Sequence, residues 1–70
     1  SLFETLRLLR LKLAEQEAIP PYIVMSDSTL QALCDKKPTS LEELNDISGF
    51  SEYKKKKYGK EFVELIRKYS

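Results

Sequence analysis

Residues 40–59, S-L-E-E-L-N-D-I-S-G-F-S-E-Y-K-K-K-K-Y-G, carry the densest run of start and stop signals in the chain and constrain its fold the most. Ser40 and Glu43 have the S-x-x-E spacing of a capping box, which predicts a helix beginning at Leu41. Leu41, Leu44 and Ile47 recur at i, i+3 and i+6 and give that helix one apolar stripe. Gly49 supplies the left-handed position at which a helix ends at low cost. Ser51 is a good N-cap for a second helix running through Tyr53 and the four lysines to Tyr58, and Gly59 ends that helix or starts the next. The expected product is a helix-hairpin-helix with a basic second arm. It has two readings. A helix N-terminus aims unpaired N–H groups at an anion, and phosphate is the usual guest. Paired short helices are also common packing units, with the lysines then a solvated face.

Seventy residues make one small domain, which buries about 60% of the surface its unfolded chain exposes. At 41% hydrophobic and 33% charged it has the composition of a soluble globular chain. No apolar run approaches the ~20 residues that span a bilayer, so a membrane role is not expected. No signal peptide is visible and the first residue is not Met, so the expectation is a piece of a larger protein. Cys34 is alone and sits at a helical apolar spacing, which suggests an inert buried thiol and suits a reducing compartment. With no His and no second Cys, a structural zinc site is out of reach. The net charge of +1 hides a split: residues 1–53 carry five basic and nine acidic side chains, whereas residues 54–70 carry seven basic and two acidic. A net of −4 followed by a net of +5 points to a local anion-binding face rather than general stickiness.

Leu2–Glu17 reads as a helix, with Leu2, Leu6, Leu9 and Leu13 as its stripe, Phe3 flanking it, and Arg7, Arg10 and Lys12 outside. Leu8 and Leu11 fall about 100° or more from the stripe, so the helix is either buried on two sides or carries an exposed apolar patch for a partner. Ile19-Pro20-Pro21-Tyr22 stops it, and two prolines predict a stiff, extended connector with Ile23, Val24 and Met25 tucked beneath. Tyr22 is then a half-buried anchor with its hydroxyl in water, or a platform held still for an unpaired base. Ser26 or Asp27 caps a helix over residues 28–36 with Leu30, Leu33 and Cys34 inside, and Pro38 closes it. A last helix, Lys60–Tyr69, turns Phe62, Leu65, Ile66 and Tyr69 to one side. Ile23-Val24-Met25 is the one β-like run and is too short to build a sheet. The fold class is all-α, five helices in a compact bundle.

Enzyme chemistry leaves no trace. The usual nucleophile–base pairings need a His or a second Cys. Glu42, Glu43 and Asp46 read as macrodipole partners of a helix start rather than metal ligands, and no Gly-rich phosphate loop is present. No cofactor and no catalytic residue is expected in this chain.

Three blocks carry a resemblance. Leu2-Phe3-x-x-Leu6-Arg7 opens a helix; Ile19-Pro20-Pro21-Tyr22-Ile23-Val24 leads into Ser26-Asp27-x-Thr29-Leu30; Leu44-x-x-Ile47-x-Gly49-Phe50 leads into Lys54-Lys55 and Tyr58-Gly59-Lys60-Glu61-Phe62. In this order and spacing, and over nearly the whole chain, they resemble the HRDC domain, the C-terminal module of helicases and ribonuclease D. The resemblance implies an HRDC-like bundle that serves as an auxiliary nucleic-acid-binding module. Its parent would be a RecQ-type DNA helicase in the bacterial cytoplasm, at the nucleoid, with a ribonuclease D-type exonuclease and an RNA ligand as the alternative. The family's proline-anchored aromatic corresponds to Tyr22, and its hairpin basics to Lys54 and Lys55. Ser51 stands where the family often has a second hairpin glycine, Glu52 after it would repel a nearby phosphate, and Leu8 and Leu11 stand where the first helix commonly carries basic residues.

The expectation is weak, salt-sensitive binding of single-stranded or partly duplex DNA by a monomer. Ser51, Lys54, Lys55 and Lys57, joined by Arg10 and Lys12 if the first helix lies alongside, would meet phosphates while Tyr22 stacks on a base. Four successive lysines span about 300° of a helix, so two or three contacts are expected, with a log–log salt slope of about −1.5 to −2. The rival expectation is a protein-docking module using Leu8 and Leu11 against other domains of the parent helicase. Exposure of Tyr22, and its placement relative to the lysine arm, separates the two.

Overall fold

The computed structural model describes residues 1–69, and no strand occurs among them. Helix α1, Leu2–Glu17, begins where Ser1 Oγ accepts the Glu4 N–H. It ends in a left-handed residue, Ala18 (φ 56°), whose N–H and that of Ile19 close onto the carbonyls of Ala14 and Glu15. No glycine is available there. An alanine takes the Schellman position, and the two prolines after Ile19 prevent the helix from continuing.

The two prolines do something other than extend. Pro20 is the extended N-cap (ψ 146°), but Pro21 occupies the first helical position of a single turn, α2, Pro21–Val24. A proline at that position has no N–H to lose and its φ is already helical, which is why one turn forms at once. Val24 and Met25 are buried, as the apolar run suggests, whereas Ile23 points to solvent.

Helix α3, Asp27–Lys36, is capped by Ser26, whose Oγ accepts the Thr29 N–H at 3.2 Å. Leu30 and Leu33 face the core, Cys34 is half-buried, and the helix ends in left-handed Lys37 before buried Pro38.

The hairpin departs from the expected pair of α-helices. Ser40 Oγ does accept the Glu43 N–H at 3.2 Å, but the Glu43 carboxylate reaches back to the Thr39 N–H at 2.9 Å, one residue beyond a standard capping box. The chain then makes a 3₁₀ turn, Glu42–Asp46, not an α-helix from Leu41. The segment between cap and turn is too short to propagate α-helix, and the tighter i→i+3 form brings Leu44 and Ile47 inward while Leu41 stays half-exposed.

After Gly49, Ser51 caps α4, Glu52–Lys54, which passes through a π-helical turn, Lys55–Gly59, into α5, Lys60–Tyr69. The backbone stays helical across Lys55 and Lys60, so residues 52–69 form one continuous helix and Gly59 breaks nothing. At ~100° per residue, Lys55 in a straight α-helix would stand about 20° from Phe62, inside the buried stripe. The i→i+5 turn inserts extra backbone there. Lys55 emerges with its ammonium 2.8 Å from Asn45 Oδ1 and 2.9 Å from a Glu52 oxygen. Gly59 serves close approach instead of termination, since a Cβ there would lie 3.0 Å from a Leu44 methyl and 3.1 Å from one of Leu41.

The core joins Leu6 and Leu13 of α1, Val24, Met25, Leu30 and Leu33, Leu44 and Ile47, and Tyr58, Phe62 and Ile66 of the long helix. Phe50 meets Phe62 edge-on at 6.0 Å. The all-α bundle is as expected. Its parts are redistributed: one hairpin arm is 3₁₀, the last two helices are fused, and the proline connector contributes a turn.

Candidate nucleic-acid interface

The block Ser26-Asp27-x-Thr29-Leu30 ties three elements together. Asp27 Oδ1 accepts from Arg10 Nη1 at 2.7 Å, and the same nitrogen donates to the Met25 carbonyl at 3.0 Å. Thr29 Oγ1 donates to the Ser48 carbonyl at 3.1 Å. Gly49, at φ 86°, presses against that hydroxyl, where a Cβ would lie 2.2 Å from Thr29 Oγ1. The glycine is therefore required twice, by its backbone angle and by the threonine beneath it.

Arg10, expected among the phosphate contacts, is instead buried and paired. Its side chain is only 11% exposed and is held in the α1–α3 junction, with Nε lacking an acceptor among the described residues. The helical spacing contains this outcome: Arg10 is i+4 from Leu6 and i−3 from Leu13, both buried, so it shares their side.

The lysine arm divides. Lys57 Nζ lies 2.9 Å from Glu17 Oε1 and 3.1 Å from the Tyr53 hydroxyl, and sits over the Tyr53 and Tyr58 rings at 5.4 and 5.7 Å. The Tyr58 hydroxyl donates to the same Glu17 oxygen at 2.9 Å. These contacts push the Lys57 ammonium's pKa upward, Glu17 first and Tyr53 second, and Lys57 in turn holds the Glu17 carboxyl below its usual range. Burial, then the Glu17 bond, pushes the Tyr58 phenol up. Lys55 is held by Glu52 and Asn45. Lys54 and Lys56 have no ion pair within 4 Å among the described residues. Two of the three lysines expected at phosphates thus brace the fold, and Lys56, outside that set, is exposed and unpaired. Ser51 Oγ is occupied as a cap by the Lys54 N–H at 3.2 Å, with the Glu52 carboxylate beside it.

Glu17 had no signal in the sequence, because its partners are 40 and 41 residues away. It also links two regions. The lysine arm docks on the last residue of α1, and the connector to Tyr22 leaves α1 at the next one. Five residues from Glu17 place the Tyr22 Cα within roughly 18 Å of it. Tyr22 is 69% exposed beside buried Val24 and Met25. Its hydroxyl is not sealed in the interior. Lys12 lies elsewhere, in the groove between α1 and α5 with Glu61, Glu64 and Lys68. At ~100° per residue it stands about 160° around α1 from Arg10, the residue that pins α2.

Leu8 and Leu11 are both exposed, at 55% and 39%, so α1 is not buried on two sides. Burial pushes the Cys34 thiol pKa up, in keeping with an unreactive thiol. Among the described residues no cluster of three or more His, Cys, Asp or Glu could hold a metal, and no helix is long and apolar enough to cross a membrane.

Comparison with known proteins agrees with this architecture. Two curated relatives, the ATP-dependent DNA helicases RecQ of Bacillus subtilis (strain 168) and Haemophilus influenzae, are 41% and 43% identical over 69 and 68 residues. Those alignments cover 99% and 97% of this chain but 12% and 11% of the relatives, so the chain spans about an eighth of their length. The solved D. radiodurans RecQ HRDC domain 3 superposes with a TM-score of 0.92 at 31% identity, covering 96% of this chain and 88% of that one. The sequence profile of the HRDC domain matches residues 1–66. On a profile match across almost its entire length and a superposition this close, the chain belongs to the HRDC domain family.

Proposed function

We propose that this domain is the auxiliary DNA-binding module of a RecQ-type ATP-dependent DNA helicase, non-catalytic itself, which holds single-stranded or partly duplex DNA while the ATPase core unwinds it. The observation that carries this reading is Tyr22: an aromatic ring 69% exposed on a proline-started turn, close to Val24 and Met25, which are fully buried. A ring so anchored stacks on a base with little conformational entropy to lose, an interaction of ~1–3 kcal/mol. Lys54 and Lys56 supply phosphate contacts, and Lys55 and Lys57, neutralised by Glu52 and Glu17, add little. Two direct contacts give a single-strand salt slope of about −1.4, slightly shallower than the range expected from the sequence. Binding is micromolar or weaker.

Titration of the domain with a labelled oligonucleotide at low and high salt tests this. Tyr22→Ala weakens binding about 5- to 150-fold, and Lys54→Ala/Lys56→Ala flattens the salt slope. No binding at low salt, or a Tyr22→Ala variant that binds like the parent chain, ends this reading. The second reading, docking on other domains of the parent helicase, draws on Leu8 and Leu11 standing exposed together. It requires that Leu8→Gln/Leu11→Gln release the domain from the helicase and leave oligonucleotide affinity unchanged.

A further inference from the structure

Of the seven large apolar side chains exposed among the described residues, four belong to α1 and α2, while Leu41, Tyr53 and Tyr69 lie elsewhere. Two hydrogen bonds fix how α2 lies on α1: the Ile19 N–H donates to the Ala14 carbonyl at 3.0 Å, and Arg10 Nη1 reaches the Met25 carbonyl at 3.0 Å. The chain from Ile19 to Met25 therefore turns back onto the side of α1 that carries Arg10, with Tyr22 and Ile23 on the turn between these two bonds. Positions 10 and 14 stand about 40° apart on the helix, and Leu11 is about 80° from their midline, on the exposed side. Leu11 is thereby on the flank of α1 next to the one α2 covers, and Leu8, three residues back, stands about 60° further round. Leu8, Leu11, Tyr22 and Ile23 are 55%, 39%, 69% and 50% exposed.

The strip is too small for a lasting contact with a separate protein. Four side chains exposing about half of their surface amount to roughly 400 Å², an ordinary functional patch. A lasting protein–protein interface takes ~800 Å² on each side, a large share of the 4422 Å² this whole domain exposes. A nucleobase is of the right size, and a strand stacked on Tyr22 brings the next base to the strip's edge.

We propose that Leu11 and Ile23, with Leu8 at the margin, form an apolar shelf that receives the base adjacent to the one on Tyr22 and favours thymine through its C5 methyl. This rests on the DNA-binding reading above and adds a base preference to it. Among the four bases only thymine offers an apolar group at this edge, and aliphatic side chains are its usual partner. Burying one methyl on the shelf is worth roughly a fourfold gain in affinity.

The test compares oligothymidylate with oligodeoxyuridylate of equal length, which differ only in that methyl, at low salt. The parent chain binds the thymidylate strand about fourfold tighter, and Leu11→Ser/Ile23→Ser removes the difference while retaining Tyr22-dependent binding of both strands. A thermal melt confirms that this variant, altered only at exposed positions, stays folded. Equal binding of the two strands by the parent chain overturns the shelf, as does a preference that survives in the double variant, since Tyr22 alone then senses the methyl. In both cases loss of binding in Tyr22→Ala leaves the DNA-binding reading standing. No binding of either strand overturns both.

Discussion

Two neighbouring regions are built from the most recognisable blocks of the chain, and they differ in what they leave outside. At the junction of α1, α3 and the hairpin turn, the polar groups are spent on one another. Arg10 bonds Asp27 and Met25, Thr29 bonds Ser48, and Gly49 is pressed against Thr29. Along the α1–α2 edge the reverse holds: the backbone is pinned at both ends, yet Tyr22, Ile23, Leu8 and Leu11 are left in water. A polar block closes the first region and an apolar one opens the second. Motif strength in the sequence thus says little about contact with a partner. The S-D-x-T-L residues hold the fold, and the side chains left in water are those that the fold anchors through their neighbours.

The difference can be broken by substitutions that act on one region alone. Gly49→Ala carries the largest effect. It forces a Cβ onto Thr29 Oγ1 and an L-residue into the left-handed region, at about 3 kcal/mol for overpacking and strain together. In a domain of this size that lowers the melting temperature by on the order of 15 °C. A melt within a few degrees of the parent chain would show the junction to be soft. Arg10→Met keeps the aliphatic packing and removes two charge-assisted bonds, a loss of about 2 kcal/mol. Asp27, 79% exposed, stays hydrated and limits the damage. DNA affinity per folded molecule is unchanged, and a fall in it would return Arg10 to the interface.

Tyr22→Ala is the mirror image. Affinity drops by ~1–3 kcal/mol, and the melting temperature moves by no more than an exposed substitution usually moves it. A large loss of stability would mean that the ring serves the core. The smallest effect concerns Glu17, which anchors the lysine arm. Its carboxyl is held below the usual range chiefly by Lys57, so its contribution is fully present above the unfolded-state pKa of about 4.3 and disappears as pH falls through the lower folded value. Acid titration of stability from about pH 6 downward is therefore shallower in Glu17→Gln than in the parent chain. The slope that remains comes from Glu4 and Glu52, which are lowered by Arg7 and Lys55. Identical acid profiles would mean that the Lys57–Glu17 pair is not formed in solution.

Much of this architecture is legible from local rules. Ser1 caps α1 without a distinctive signal of its own, but α1 runs over the residues its leucine spacing marks, and Ser26, Ser51 and Gly49 occupy the cap and turn positions their chemistry suggests. The serine caps depend on a side chain reaching a backbone group three residues on, and Gly49 on its own backbone freedom, both of which local sequence encodes. The π-helical turn was not legible, because it arises where a lysine register meets the buried stripe of a helix whose continuity past Gly59 could not be assumed. The inward turn of Arg10 was half-legible in its spacing from Leu6 and Leu13, but its acceptor on Asp27 lies 17 residues on.

The sequence by itself determined an all-α chain, the places where most of its helices start and stop, and a basic C-terminal third. Only the tertiary structure decided which of those cations remain available. An ammonium or guanidinium loses its reach for phosphate when a carboxylate comes within about 3 Å, and Glu17 and Asp27 arrive at Lys57 and Arg10 from distant parts of the chain. Charge is counted along the sequence, but its neutralisation is a matter of distance in space.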